Sequence, residues 1–297
     1  MNNFTVALLG TILLTAPASG QTANQKQETL AYLTSLAVPN GGFRPARPGK
    51  DGISVPSVQS TLEALRATKY FGGPIENKEK HSRFVQSQFD KATGGFIDPS
   101  AGTMKATVAM TVTGVLAAVE LGLPTQPFAD AVVQYLGKNA ETFEDIRMGA
   151  AAFEALQTRP SYAPAWLEKV NELRNASGSW GQGDGVPRET GGAVAMVLRL
   201  GGKIEKEGDV LKAMKDGQRK DGGFGQAGAI GSDLATSYRI VRSLRMLKEK
   251  PANVQAMRDF IASCRNPDGG YGVAPGQLSS ASGTYFAGVI LHWLDEK

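Results

Sequence analysis

Carboxylates and guanidiniums, more than thiols or imidazoles, are the groups with chemistry to offer in this chain. Glu141, Glu144, Asp145, Glu189 and Asp233 fall on loops or at the starts of apolar helical stretches. Two such carboxylates facing each other across a cleft would suit glycoside hydrolysis, one protonating the leaving group and the other acting on the opposite side. Arg147 and Arg239 would bring positive charge to the same region, which favours an anionic ligand. Arg239, with Arg242 three residues on, also reads as a solvated helix face or as an ion pair with Asp233. Arg44, Arg47 and Lys50 crowd the loop 41–52, a pattern read as solvated. The single cysteine, Cys264, cannot form an internal disulfide and reads as a small, semi-buried residue at a helix end. A sugar cleft wants aromatic platforms, yet the only tryptophans are Trp166, Trp180 and Trp293, two of which read as packing residues.

The elements that must position these groups repeat. Gly41-Gly42-Phe43, Gly94-Gly95-Phe96, Gly178-Ser179-Trp180, Gly222-Gly223-Phe224 and Gly269-Gly270-Tyr271 each precede a helical stretch, and Glu141-Thr142-Phe143 is a degenerate copy. The last two full copies lie about 47 residues apart, a spacing in the range of stacked supersecondary units. Amphipathic first helices are predicted over 28–36, 80–89, 128–136, 164–173, 205–214 and 253–264. Second helices over 107–121, 149–156, 191–200, 234–247 and 283–294 are apolar on most sides, as buried helices are. Outer helices with one wet face around inner helices covered on most sides predict an all-α fold, an (α/α)6 toroid of six helical hairpins with Gly-Gly-aromatic loops and a central cavity. The glycines read as tight turns and the aromatics as plugs between hairpins.

Residues 1–20 read as an export signal, with an apolar run from Val6 to Leu14 and small residues Ala18 and Gly20 before a cut at Gln21. The run is too short to span a bilayer, which takes roughly 20 residues. Residues 21–297 then form one domain, expected to be exported and monomeric. A net charge of +4, from 32 basic and 28 acidic residues, is mild, and no basic tract is dense enough for nucleic acid.

Asp221-Gly222-Gly223-Phe224-Gly225 with Ser232-Asp233-Leu234-Ala235-Thr236-Ser237-Tyr238, and Cys264-Arg265-Asn266-Pro267-Asp268-Gly269-Gly270-Tyr271-Gly272, resemble protein prenyltransferase β-subunit repeats, closest to the geranylgeranyltransferase type II pattern, within a group that includes squalene and terpenoid cyclases. The resemblance covers the chain after residue 26 and is strongest from Gly217 onward. It implies a zinc ion held by an Asp, a Cys and a His, lowering the pKa of a substrate thiol. Asp233 falls on the zinc Asp, but the Cys position is Ala235 and the His position is Gly283, while His81 and His292 lie elsewhere in their units. Diphosphate-binding positions become Ala227, Ile230 and Glu189, and an aromatic of the isoprenoid pocket becomes Arg239. Asp145-Ile146-Arg147 keeps the family's opening of the third inner helix, whose arginine faces the cavity. The acidic cluster of squalene-type cyclases and the thioester motif of complement-like domains are absent.

The expected object is therefore a toroid without zinc or any other cofactor, binding a peptide or a small apolar or anionic molecule in its cavity. Arg147, Glu189, Asp233, Thr236, Arg239, Thr284 and Tyr285 are the candidate lining residues. Thiol geranylgeranylation, and a carbohydrate-active hydrolase or lyase, are the competing readings. Fold alone does not choose among them.

Overall fold

Helices come in outer–inner pairs along the computed structural model, which describes residues 21–48, 54–98, 100 and 105–296. The expected signal and Lys50 lie outside the described residues. The first three pairs are α1 (Ala23–Thr34) with α2 (Val58–Tyr70), α3 (Lys78–Gln86) with α4 (Val108–Glu120), and α5 (Ala129–Asn139) with α6 (Phe143–Leu156). The last three are α7 (Ala163–Glu172) with α8 (Val186–Arg199), α9 (Glu207–Lys215) with α10 (Leu234–Met246), and α11 (Val254–Ser263) with α12 (Ala281–Asp295). Beyond these, a two-residue hairpin pairs β1 (Phe89–Asp90) with β2 (Gly95–Phe96) antiparallel.

Each inner helix packs on the next, α2 on α4, α4 on α6, α6 on α8, α8 on α10 and α10 on α12, and α12 returns to α2. The ring is closed. Outer helices bury narrow stripes, Val210 and Met214 in α9 for instance, whereas α8 is buried continuously from Thr190 to Val197. That difference is why inner helices read as apolar all round.

One hydrogen bond recurs in five hairpins and explains the loop motif. The aromatic residue's backbone N–H donates to a hydroxyl one turn into its inner helix: Phe43 to Thr61 at 2.9 Å, Phe96 to Thr111 at 3.0 Å, Trp180 to Thr190 at 3.0 Å, Phe224 to Ser237 at 3.0 Å and Tyr271 to Thr284 at 3.1 Å. All five rings are buried. Gly222 stands at φ +90°, and a Cβ there would come within 2.0 Å of the Ala256 carbonyl oxygen on the following outer helix. Gly269 makes the equivalent approach to Glu28, at 2.5 Å, so the sixth hairpin docks on the first. Thr29 Oγ1 donates to the Gly269 carbonyl at 2.8 Å across the same seam. The loops are structural parts, as read from the repeats. In the third hairpin the degenerate copy is a helix cap: Thr142 accepts from Asp145 N at 3.1 Å and the Asp145 carboxylate accepts from Thr142 N at 3.0 Å.

Periodicity did not single out α2, and it placed the starts of α6 and α8 several residues late. The missing turns are polar. Gln59, Glu63, Arg66 and Lys69 interrupt the apolar pattern of α2, and Glu144, Arg147, Arg188 and Glu189 occupy the first turns of α6 and α8.

Candidate functional site

Every inner helix follows its outer partner through a loop at the same end of the ring, so all six run in one direction and open their N-termini onto one mouth. Near that mouth the charges are matched. Glu144 on α6 accepts from Arg147 Nε at 2.9 Å and, across to α10, from Arg239 Nη2 at 2.9 and 3.2 Å. Burial pushes the Glu144 carboxyl up, but the Arg147 hydrogen bond and the charges of Arg147, Arg239 and Arg188 pull it down to about 2. Arg188 Nη1 donates to Glu189 at 2.6 Å. Arg239 is therefore neither solvated nor paired with Asp233: it is 9% exposed, its partner is Glu144, and burial together with Arg147 brings its guanidinium down to about 10.

Three other expected lining residues serve the scaffold. Asp233 is the N-cap of α10, accepting from Thr236 N at 2.7 Å and Thr236 Oγ1 at 2.9 Å. That bond also occupies the buried Thr236. Thr284 is fully buried, donating to the Ser280 carbonyl at 2.7 Å while it holds the Tyr271 loop. On the α2 wall, Glu63 is buried and accepts from Ser282 Oγ at 2.7 Å and Gln59 Nε2 at 3.0 Å. Burial outweighs these bonds and lifts its carboxyl to about 7.

Deeper in the ring the match fails. Arg242 lies three residues beyond Arg239, roughly 4.5 Å further along the helix axis. It is 6% exposed, and its Nε and Nη2 have no hydrogen-bond partner. Arg199 at the end of α8 donates its Nε to Glu154 at 2.7 Å, but its buried Nη1 is also unpartnered. Burial, then the charge of Arg199, drives the Arg242 guanidinium down to about 10. The opposite wall brings Arg66, which donates to Glu120 at 3.0 Å and to Tyr285 Oη at 3.5 Å.

Aromatic rings complete this level. Tyr238 is half-buried, stacked on Trp293 at 5.4 Å, 5.0 Å from Phe286 and 5.6 Å from Tyr285, with the Arg242 guanidinium 5.3 Å from its ring centroid. Tyr285 Oη donates to Tyr238 Oη at 3.2 Å. Sequence reasoning named Tyr285 but passed over Arg66, Arg199 and Tyr238, and placed Arg242 on a solvated face. The signal available was the Tyr238–Arg242 spacing, four residues on one face of a helix that is otherwise buried.

The residues present do not fit a zinc ion of the kind the fold family implies. Asp233 is engaged in its cap, and a Cβ at Gly283, the family's His position, would lie 2.3 Å from the Tyr271 carbonyl oxygen. Among the described residues no three His, Cys, Asp or Glu side chains gather as a metal cage. His81 is buried with Nδ1 2.5 Å from the Gly41 carbonyl, and Cys264 is buried, its thiol pushed up to about 12 by desolvation.

Comparison with curated protein sequences finds no match. Several solved structures share the fold. Protein geranylgeranyltransferase-I of Candida albicans, complexed with GGPP, superposes with a TM-score of 0.68 at 13% identity, covering 92% of this chain and 91% of that one. The type II terpene cyclase MstE of Scytonema, in complex with merosterolic acid A, gives 0.62 at 10% identity, covering 92% and 95%. A glycosidase in complex with glucose gives 0.60 at 13% identity, covering 92% and 95%. Such identities speak to fold alone. The family model of the prenyltransferase alpha-alpha toroid domain matches residues 4–145 and again 146–297, and the junction falls inside α6, so the two matches are halves of one ring. This chain belongs to the prenyltransferase alpha-alpha toroid family.

Proposed function

We propose that this protein is an exported toroid that binds a small anionic molecule with an apolar body in the lumen of its ring, without zinc-dependent prenyl transfer. One observation carries the reading: the buried guanidiniums of Arg242 and Arg199 sit near each other with Nε, Nη2 and Nη1 unfilled. Buried cationic donors without partners are costly, and an anion accepting from them removes that cost. The aromatic surface of Tyr70, Tyr238, Tyr285, Phe286 and Trp293 beside them suits the apolar part of such a ligand. The C. albicans and Scytonema structures hold isoprenoid molecules, which supports a small-molecule ligand over a peptide. Supporting the absence of zinc chemistry is the donor set at Asp233, Ala235 and Gly283.

Native mass spectrometry of the chain purified after export tests the reading. A copurifying anion, lost on Arg242→Met, is expected, together with a mature N-terminus at Gln21 and a monomeric mass. Stoichiometric zinc, or transfer of a geranylgeranyl group to a cysteine peptide, would overturn it. The carbohydrate-active reading has weaker support, because the mouth carboxylates Glu144 and Glu189 are held in ion pairs with arginines.

A further inference from the structure

Resting on that reading, we infer that Tyr238 makes the lumen a proton-linked anion site, in which the ligand's anionic group and the Tyr238 phenolate compete for the same guanidiniums. The geometry places one phenol among several cations. Arg242 lies over the Tyr238 ring from its own helix, Arg199 approaches from α8, and Arg66 from α2 reaches it through Tyr285, with Tyr70 alongside. From α12, Tyr285 donates to Tyr238 Oη, which favours the ionised form. The outer helix α9 buries only Val210 and Met214 and brings no charge to this point. Glu120 across the lumen is engaged by Arg66 and Lys69, and Glu154 by Arg199. Hence no carboxylate partners Arg242, and the acidic group stacked against it is Tyr238.

Burial opposes ionisation of this phenol, but the charges of Arg242 and Arg66 outweigh burial and bring it down to about 8. Its neighbour Tyr285 moves the other way, raised by burial and by Tyr238, so one proton leaves the pair in this range. With the lumen empty, deprotonation of Tyr238 supplies the missing counter-ion. A bound anion supplies it instead and holds Tyr238 protonated. Binding above the phenol's pKa must then take up one proton, and affinity falls as pH rises through that value. Below it, affinity does not change for this cause.

Sulfate stays a dianion throughout this range, so its own charge does not change with pH, and it is the probe. Titration calorimetry with sulfate from pH 6 to 9.5 should show Kd rising up to about tenfold per pH unit above about 8, with proton uptake visible in buffers of different ionisation enthalpy. Absorbance at 295 nm should report one tyrosine ionising near pH 8 without sulfate and at higher pH with it. In Tyr238→Phe, which keeps the ring stacking, sulfate should still bind while the alkaline limb and the absorbance step disappear. Any limb remaining near pH 7 belongs to the Glu63 carboxyl and should vanish in Glu63→Gln. If wild type and Tyr238→Phe share the same alkaline limb, the proton link is wrong although the anion site stands. If Arg242→Met binds sulfate as wild type does, the anion site itself is wrong.

Discussion

The mouth and the deep level of the lumen hold the same kinds of side chain and treat them differently. At the mouth, Glu144 gathers Arg147 and Arg239, and Glu189 takes Arg188. Deeper, Arg66 and Arg199 have carboxylates, but Arg242 has only Tyr238, with its Nε and Nη2 unfilled, and Nη1 of Arg199 has nothing. Paired guanidiniums near a mouth brace the helices that carry them. Unfilled donors beside aromatic rings cost stability unless something outside the chain completes them, which is why the proposed anion is placed at this level. A count of arginines does not tell the levels apart, since Arg147, Arg188 and Arg239 at the mouth are matched in number by Arg66, Arg199 and Arg242 below.

Substitutions separate the groups that have a counter-charge from those that lack one by the sign of their effect. The largest change is expected at Glu63, a buried carboxyl whose partners Ser282 and Gln59 bring no charge. Its pKa rises from 4.5 to about 7 on folding, so its contribution is fully present below 4.5 and is lost as pH rises through 7. Glu63→Gln should remove that loss and raise stability at pH 8 by about 3 kcal/mol, read from urea unfolding at both ends of the range. Glu144→Gln should act in the opposite sense, leaving Arg147 and Arg239 facing each other. A destabilisation of about 2 kcal/mol is expected at neutral pH, below the range for fully enclosed pairs because Glu144 is half in water. Its folded pKa is depressed from 4.5 to about 2, so the stabilisation is present above 4.5 and disappears as pH falls toward 2. Thermal unfolding of wild type and variant should therefore converge at the acid end.

At the deep level, Arg242→Met replaces an unpartnered charge with an apolar chain. It should stabilise the ligand-free protein by about 1 kcal/mol or more while abolishing sulfate binding. Equal destabilisation by Arg242→Met and Glu144→Gln would erase the distinction between the levels. The smallest effect belongs to Asp233→Ala, about 1 kcal/mol from the lost N-cap. Dialysis against zinc followed by metal analysis should give the same low occupancy in that variant and in wild type. A zinc content that falls with Asp233 would show that this residue does more than cap α10.

The repeat, the all-α architecture and the structural role of the Gly-Gly-aromatic loops were legible in the chain, because each is written in local pattern. Positive-φ glycines, a ring to bury and an apolar stripe recur at nearly fixed spacing, and a closed ring of hairpins is how such units cover each other. Cys264 stands at a helix end as read, but it is fully buried and not semi-buried. The polar helix turns were not legible. Gln59, Glu63 and Arg66 make α2 look like a surface segment, yet it is an inner helix, since its polar atoms are satisfied by Ser282, Glu120 and Tyr285 from other hairpins.

Partner choice depends on distance in the fold, and sequence offers only separation along the chain. Asp233 and Arg239 are six residues apart, so a local pair was a natural expectation, but helix capping claims Asp233 and the ring delivers Glu144 to Arg239 from 95 residues away. Likewise nothing in the order of residues shows that Arg199, closing one helix, stands beside Arg242 in the next. Local interactions repeat along the chain and can be read there. Which charge meets which is settled only when the sixth hairpin closes on the first and the inner helices come to face one lumen.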